Sequence, residues 1–407
     1  MNLSRYIKNP ALYALAVGAF GIGSTEFVIM GLLEQVAHDM QVGLQTAGFL
    51  ISGYALGVVV GAPIFTWLSG RLSHKNALLL MMLIFTLGNL VCWWAPNYEL
   101  MLTARILTAF AHGTFFGVGS VVATKVVPPS QKASAIAFMF TGLTLATILG
   151  VPAGAWLGQN FGWRIPFAVI SLVGVVSIII IAAFLPETDK DKTLAGESSS
   201  LTRLLGVDIL LKLLMTVLAF AGFFTVFTYV QAMLTEVSGF SLDAVSAILM
   251  VVGLGIVVGN MFGGRIADQR PRQAIIVTLL ILLASLLILP LTLNNQPLTV
   301  IFFGVLGAGA FATVAPLQMN ILNSAKGLSP TVVSSLNIAA FNLGNALGAW
   351  LGGYVMTHYL RVAYLPWVAA LLVLVALLVA FIDNRISLKA SNTSTNLTFD
   401  PIQQCEA

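Results

Sequence analysis

The feature of this sequence that most constrains its fold is a series of twelve long apolar runs with very few charges. A helix needs roughly 20 apolar residues to cross a bilayer. These runs are unbroken, whereas the strands of a membrane β-barrel alternate apolar and polar residues. The sequence therefore predicts an all-α polytopic membrane protein. The predicted transmembrane helices cover about 11–34, 46–68, 76–95, 99–124, 133–158, 165–185, 208–234, 244–264, 274–293, 298–322, 332–357 and 365–383.

Composition agrees with lipid as the main solvent of the chain. Hydrophobic residues make up 58% of the 407 residues and charged residues only 8%, whereas soluble domains carry about 25% charged residues. The net charge of +4 is spread over short loops, so we expect no nucleic-acid partner. The two cysteines, Cys92 and Cys405, form no metal-ligand pattern, and we expect neither a metal nor a cofactor.

The distribution of Lys and Arg predicts the orientation of the helices. Of 19 such residues, Arg164 and Arg361 fall on one side of the predicted membrane and Arg105 inside a run, which leaves 16 on the side of the N-terminus. Positive residues concentrate on the cytoplasmic side of membrane proteins. We therefore expect both termini to be cytoplasmic in a bacterial inner membrane.

The chain divides into two similar halves. A polar segment at 186–207 predicts a cytoplasmic linker between N-terminal (1–185) and C-terminal (208–383) six-helix bundles, and 384–407 predicts a disordered cytoplasmic tail. GAWLG occurs at 154–158 and again at 348–352, and GVVVG at 57–61 corresponds to GIVVG at 255–259. Each pair falls in equivalent helices, which predicts a pseudo-symmetric duplication with a solute path between the halves.

Several motifs give the chain a resemblance to the major facilitator superfamily. TWLSGRLSHK (66–75) and GGRIADQRPR (263–272) resemble the loop motif that follows the second and eighth helices of that family. GLTLATILGVPAGAWLG (142–158) is similar to the glycine-proline motif of its antiporter branch. GAFGIGSTEFVIMGLL (18–33), AHGTFFGVGS (111–120) and FNLGNALGAW (341–350) resemble the AraJ-type bacterial efflux group.

The resemblance implies that these motifs control conformational change. In the family the loop motif locks neighbouring helices through charge pairs and helix-end contacts, and Gly70 stands here where an acid is expected. The glycine-proline motif predicts either a bend that prevents leak or ordinary close packing. The predicted conformational residues are Arg71, Lys75, Asp268, Arg270, Gly150, Pro152 and Gly154.

Ionisable residues inside the predicted helices are the candidates for proton coupling, because burying a charge in a bilayer is costly. They are Glu26, Arg105 and His112. Glu26 and Arg105 lie at similar predicted depth, which suggests an interaction, direct or through water or solute. Glu26 could exchange the coupled proton or form a static ion pair. His112 could relay a proton, bind the solute or only pack.

The C-terminal half offers neutral polar residues in place of charges within its predicted helices. They must face other helices, water or a solute. Together with aromatic residues of both halves they suggest a hydrogen-bonding cavity. The predicted substrate-binding residues are Tyr54, Phe116, Tyr229, Gln231, Gln318, Asn337 and Asn342.

The sequence thus predicts a monomeric secondary active transporter, not an enzyme, that exports a small drug-like or sugar-like solute in exchange for protons. A proton-coupled importer or exchanger of a sugar, nucleoside or related metabolite is the alternative. A membrane enzyme is disfavoured because GVGS (117–120) lies inside a predicted helix and lacks the strand–helix context of a phosphate loop. A channel is disfavoured by the unequal charge of the two halves.

Overall fold

A computed structural model of the chain describes residues 9–187, 204, 206–325, 327–358 and 361–396. Most of the predicted linker (188–203) and the last part of the predicted tail (397–407) lie outside the described residues. The described residues form twelve long helical elements that cross the molecule in alternating directions. The prediction of an all-α fold with twelve membrane helices is confirmed, and no strand occurs in the described ranges.

The twelve elements agree with the apolar runs to within a few residues at most ends. We label them α1 (Pro10–Val28), α2 (Phe49–Ser69), α3 (His74–Trp94), α4 (Tyr98–Lys125), α5 (Lys132–Leu145, Ala146–Gly150 and Val151–Phe161), α6 (Ile165–Phe184), α7 (Val207–Phe227), α8 (Leu242–Gln269), α9 (Pro271–Thr292), α10 (Gln296–Ala312 and Val314–Asn323), α11 (Pro330–His358) and α12 (Leu365–Asn396). The end of the molecule where α1 begins is called the N-terminal face, and the other end the opposite face.

Hydropathy separates one helix from the rest. Eleven helices among the described residues are long and apolar enough to cross a membrane. The helix α11 has 29 residues, which is ample length. It carries Asn337, Asn342 and Asn345, whose amides lower its hydropathy and must find partners inside the protein.

Polar caps define where several helices begin. The side chains of Asn9, Ser73, Asn97, Ser241 and Asn295 each accept a hydrogen bond from a backbone N–H in the first turn of the following helix. The first N–H groups of a helix have no partner within it, so such caps stabilise its start. All five lie two to three residues before the start of their predicted run, so the observed and predicted starts of these helices agree closely.

The GAWLG repeat marks the same helix pair in both halves. On α5, Gly150, Gly154 and Gly158 pack against Ser24, Val28 and Leu32, and a Cβ at Gly154 would lie 2.2 Å from Val28 Cγ2. On α11, Gly344, Gly348 and Gly352 pack against α7 and Tyr229, and a Cβ at Gly348 would lie 2.3 Å from the Ala221 carbonyl oxygen. Small residues allow helices to approach this closely in membranes.

The second repeat marks another equivalent pair. Gly57 and Gly61 of α2 pack against α4, with Ala109 and Phe110 as neighbours. In the other half, glycines of α8 approach the backbone of α10 even more closely: Cβ atoms at Gly255, Gly259 and Gly263 would lie 1.9–2.1 Å from the carbonyl oxygens of Gly304, Ala308 and Ala312. Both sequence repeats therefore correspond to equivalent positions of helix packing within the two halves.

The two halves contact each other near the N-terminal face through polar groups. Thr66 of α2 donates a hydrogen bond to Ser335 Oγ of α11 over 2.7 Å. Asn260 of α8 donates to the Ala137 carbonyl oxygen of α5 over 2.6 Å. The Asp268 carboxylate, at the end of α8, accepts hydrogen bonds from the backbone N–H groups that begin α5.

Two of the twelve helices are irregular, and the last one extends beyond its predicted end. The middle of α5 is a π-helical turn at Ala146–Gly150, just before Pro152. A break at Thr313 divides α10, where Pro316 supplies no N–H to the preceding turn. The helix α12 continues to Asn396, beyond the predicted end of its apolar run at 383, because adding residues to an existing helix is far easier than nucleating one.

Candidate functional site

The best candidate for a functional site is a cavity of about 50 Å³ between the two halves. Aromatic and aliphatic side chains form most of its wall. The lining residues are Glu26, Phe27, His112, Phe140 and Leu143 from the first half, and Phe220, Phe224, Phe311, Val314, Ile338, Phe341, Asn342 and Asn345 from the second. The first half thus supplies an acid and a histidine, and the second half supplies two amides. Cavities with an apolar wall and a few polar groups are typical of small-molecule sites.

Glu26 and His112 are neighbours on this wall. A distance of 3.9 Å separates Glu26 Oε2 from His112 Nδ1, and 13% of the Glu26 side chain is exposed. The Tyr54 hydroxyl lies 3.2 Å from the same ring nitrogen. If the tyrosine donates its proton, Nδ1 is an acceptor and the imidazole is neutral with its proton on Nε2. The cluster could then accept or pass on a proton.

Arg105 is fully buried beside this cluster, and its hydrogen bonds go to backbone carbonyl oxygens rather than to Glu26. Its Nε donates to the Leu50 carbonyl oxygen over 2.8 Å, and its Nη1 donates to the Thr25 carbonyl oxygen over 3.2 Å. The guanidinium carbon lies 5.0 Å from the centre of the Tyr54 ring. No salt bridge joins Glu26 to a Lys or Arg among the described residues. Arg105 therefore connects α4 to α1 and α2 through their backbones.

The two cavity amides of α11 have unused acceptors. Asn342 is 4% exposed, and its Nδ2 donates to the Ile338 carbonyl oxygen over 3.0 Å. The side-chain oxygens of Asn342 and Asn345 are buried and have no hydrogen-bond partner. The residues are three apart and share a face of the helix. Two acceptors are therefore left unsatisfied at the cavity wall.

The predicted substrate-binding residues fall into three groups. Asn342 lines the cavity. Tyr54 and Phe116 lie one layer behind the wall, where the Phe116 ring stacks on Phe140 with centroids 4.8 Å apart and lies 5.1 Å from the His112 ring. Tyr229 and Gln231 lie away from it: the tyrosine hydroxyl donates to the Ala349 carbonyl oxygen, and the Gln231 side chain is exposed.

Gln318 and Asn337 also do not line the cavity, because they bond to each other. Asn337 Nδ2 donates to Gln318 Oε1 over 2.7 Å, and Thr216 donates to Asn337 Oδ1 over 2.7 Å. Gln318 Nε2 in turn donates to Ser334 Oγ. This buried network joins α7, α10 and α11, which satisfies amides that would otherwise be costly.

The expectation that the C-terminal half buries no charge within its helices is wrong. Lys212 is one of the 16 basic residues that the sequence analysis assigned to the cytoplasmic side. It is 4% exposed within α7 and lies 2.7 Å from the Asp383 carboxylate of α12. Asp208, one turn earlier and half exposed, forms a second ion pair with Lys212. The sequence did not predict this buried charge, because Lys212 lies near the start of its apolar run, where a lysine side chain normally reaches the membrane surface.

The predicted conformational residues occupy two environments. Asp268 Oδ1 and Oδ2 accept hydrogen bonds from Ala133 N and Ser134 N over 2.8 and 3.0 Å, at the positive end of the α5 dipole. Lys75 Nζ donates to the Ala182 carbonyl oxygen over 2.7 Å. The other two charged residues of this set, Arg71 and Arg270, are exposed.

The glycine-proline motif does distort α5. Gly150 ends the π-helical turn, and Pro152 is the second residue of the segment that follows it. A Cβ at Gly150 would lie 2.5 Å from Ser24 Oγ of α1. The motif therefore combines an irregular turn with close helix packing.

Most of the aromatic wall was missed by the sequence analysis. Phe140, Phe220, Phe224, Phe311 and Phe341 line the cavity, yet 25 phenylalanines occur in the chain. The only available signal was spacing: Phe220 and Phe224 are one turn apart on α7, and their rings lie 6.5 Å apart. Spacing gives the face of a helix but does not distinguish a cavity from lipid or core.

Comparison with known proteins agrees with this architecture. The chain is 43% identical over 381 residues to the inner membrane transport protein YdhP of Escherichia coli (strain K12), covering 93% of this chain and 96% of that protein. It is 37% identical to the putative transporter AraJ of the same organism, covering 89% and 91%. It is 31% identical to a chloramphenicol resistance protein of Streptomyces lividans, covering 91% and 95%.

Solved structures and a family profile give the same fold. The proton:xylose symporter XylE superposes with a TM-score of 0.76 at 15% identity, covering 91% of this chain and 94% of that one. The sequence profile of the Major Facilitator Superfamily matches residues 15–339. The chain is a multi-pass membrane transporter with two six-helix bundles, and it belongs to the Major Facilitator Superfamily.

Proposed function

We propose that this protein exports a small drug-like or sugar-like solute in exchange for protons by alternating access, and that Glu26 carries the proton. The observation behind this proposal is the position of Glu26: its carboxylate borders the cavity between the halves, and the basic group that it contacts, at 3.9 Å, is His112 rather than a permanent cation. A carboxylate in such surroundings is neutralised most simply by binding a proton.

The proposed cycle uses the division of the cavity between the halves. Residues 1–185 and 208–383 act as two bodies that move about the solute, with the N-terminal face on the cytoplasmic side. Export is supported by the glycine-proline motif of α5 and by the likeness to a chloramphenicol resistance protein. Entry of a solute from the cytoplasmic side and release of the Glu26 proton would be linked because both use the same cavity.

The test measures proton flux in proteoliposomes with an imposed pH gradient. Chloramphenicol and a panel of sugars serve as solutes, and a pH-sensitive dye reports proton movement. Antiport predicts that solute and proton move in opposite directions. Glu26→Gln, which keeps the size and polarity of the side chain, is expected to lower solute-coupled proton flux at least about tenfold because the amide cannot ionise.

Glu99→Gln is the matched control, because Glu99 is exposed and does not line the cavity. Its proton flux should equal that of the wild type. Undiminished coupling in Glu26→Gln would remove Glu26 from the mechanism. Movement of solute and proton in the same direction would favour the alternative, an importer of a sugar, nucleoside or related metabolite.

A further inference from the structure

The wall of the cavity limits the class of solute that it can bind. Six of the 13 lining residues are phenylalanines: Phe27, Phe140, Phe220, Phe224, Phe311 and Phe341. The polar groups are few, namely Glu26, His112 and two amides of α11. A sugar carries hydroxyls around its whole perimeter, and those facing phenylalanine would lose their hydrogen bonds to water. The wall therefore favours a solute with an apolar body and one polar end.

The unsatisfied groups at the wall are hydrogen-bond acceptors. The Asn342 amide is fixed by its donation to the Ile338 carbonyl oxygen, which leaves its side-chain oxygen without a partner. The Asn345 side-chain oxygen is also buried without a partner. A buried acceptor without a donor is unfavourable until a ligand supplies the donor. The solute should therefore bring N–H or O–H groups.

The charge at the wall is negative whenever Glu26 is ionised. The buried guanidinium of Arg105 is directed to the carbonyl oxygens of Leu50 and Thr25 rather than to this carboxylate. A ligand cation would bring a counter-charge into direct contact with Glu26, which Arg105 does not provide, and aromatic rings also attract cations. A proton and a cationic solute would then be alternative partners of the same carboxylate.

We propose that the cavity binds organic ammonium ions that carry an apolar body and at least one N–H group, in preference to sugars and to quaternary ammonium ions. Glu26 provides the counter-charge, and the oxygens of Asn342 and Asn345 accept from the N–H groups. This inference rests on the proposed function in one respect, namely that the cavity is the transport site.

Three matched ligands test the proposal by isothermal titration of the purified protein in detergent at pH 8. They are 4-phenylbutylammonium, its N,N,N-trimethyl derivative and 4-phenylbutan-1-ol. The first has charge and donors, the second charge alone, and the third a single neutral donor. We expect 4-phenylbutylammonium to bind at least about tenfold more tightly than either of the others, because hydrogen bonds that involve a charged group are the stronger kind.

Two variants test whether the amides of α11 cause the preference for 4-phenylbutylammonium. Asn342→Leu and Asn345→Leu should each lower affinity for 4-phenylbutylammonium about threefold to tenfold and leave affinity for the trimethyl derivative nearly unchanged. Retained binding of the trimethyl derivative shows that the variant cavity is intact. Gln231→Leu removes an exposed amide that does not line the cavity, and it should keep the wild-type preference.

Equal affinity of the wild type for 4-phenylbutylammonium and its trimethyl derivative would overturn the proposal, and so would equal or tighter binding of the alcohol. Failure of all three to bind, or preferential binding of a sugar, would overturn it as well. These outcomes are independent of proton coupling, which is measured as flux with other solutes. A failure of the solute class is therefore distinguishable from a failure of the proposed exchange.

Discussion

The position of a buried polar side chain in this protein depends on the hydrogen-bond partners within its reach. Depth along the helix gives only an approximate prediction of those partners. The sequence predicts a similar depth for Glu26 and Arg105, yet Arg105 bonds to the carbonyl oxygens of Leu50 and Thr25. An arginine has five N–H donors in a rigid fork, and two backbone acceptors on neighbouring helices satisfy part of it. Glu26 approaches His112 instead.

The buried pair of Lys212 and Asp383 gives a prediction at the same scale. Asp383→Asn should lower the free energy of unfolding by about 3 kcal/mol, because it leaves a buried ammonium ion with Asp208 as its only carboxylate. The double variant Lys212→Met with Asp383→Leu should stay within about 1 kcal/mol of the wild type, since it replaces both charges by apolar groups.

Unfolding titrations in mixed detergent micelles would measure both variants. Asp208→Asn is the control, because Asp208 is half exposed and its pair with Lys212 is partly screened by solvent. It should change stability by less than about 1 kcal/mol. A double variant that is as unstable as Asp383→Asn alone would contradict the prediction.

The candidate residues show what a sequence can predict of a site. Glu26, His112 and Asn342 line the cavity, and the sequence singled them out because an ionisable or amide group inside a membrane helix is costly unless it faces protein, water or solute. Gln318 and Asn337 were equally polar but bond to each other. The pairing of two amides depends on the rotation of α10 against α11, and a single sequence contains no information about that rotation.

At the scale of helices, glycine determines which pairs approach most closely. The repeated GAWLG and G-x-V-V-G segments alone identify α5 with α11 and α2 with α8. In each half the glycines of the fifth helix pack against the first, and those of the second helix pack against the fourth. The sequence predicts the equivalence of the helices, whereas the partner helix and the distance come only from the folded arrangement.

The contact between α8 and α10 provides a test. Gly259→Ala would place a methyl group 1.9 Å from the Ala308 carbonyl oxygen, so the helices must separate. We expect the variant to lose about 1–3 kcal/mol of stability. Thermal unfolding followed by circular dichroism would measure the loss.

Gly304→Ala is the matched control on the facing helix. Its new methyl group would meet a flexible side-chain atom, Val251 Cγ1, at 3.3 Å. A small shift of that valine relieves the contact, and we expect stability within about 1 kcal/mol of the wild type. An equal loss in the two variants would show that backbone proximity is not the cause.

Irregular helices were harder to predict than regular ones. Pro152 indicated a distortion in α5, and the π-helical turn lies just before it. The break at Thr313 of α10 was not expected, although Pro316 removes a backbone donor there. A proline shows where a hydrogen bond is missing, but neighbouring helices decide whether the chain bends, widens or breaks.

For the molecule as a whole, the contact between halves at the N-terminal face is the feature most accessible to experiment. The Asp268 carboxylate accepts from Ala133 N and Ser134 N, across the boundary between the halves. A charged acceptor at a helix N-terminus is stabilising. Asp268→Asn should therefore weaken the contact between the halves, and the halves should separate at this face more often.

Hydrogen–deuterium exchange would report the change. The amides of Ala133 and Ser134 should exchange at least about fivefold faster in Asp268→Asn than in the wild type, because both lose a charged acceptor. Arg270→Gln changes an exposed charge two residues away and should leave that exchange unaltered. Faster exchange in both variants would indicate a general effect of surface charge.

The cavity wall also has a consequence for how a bound molecule leaves. Its acidic and imidazole groups belong to one bundle, and its amides belong to the other. Neither bundle alone surrounds a bound molecule. A rocking movement that separates the bundles must break the contacts of a bound molecule with one bundle while its contacts with the other bundle remain. Release therefore needs no separate mechanism.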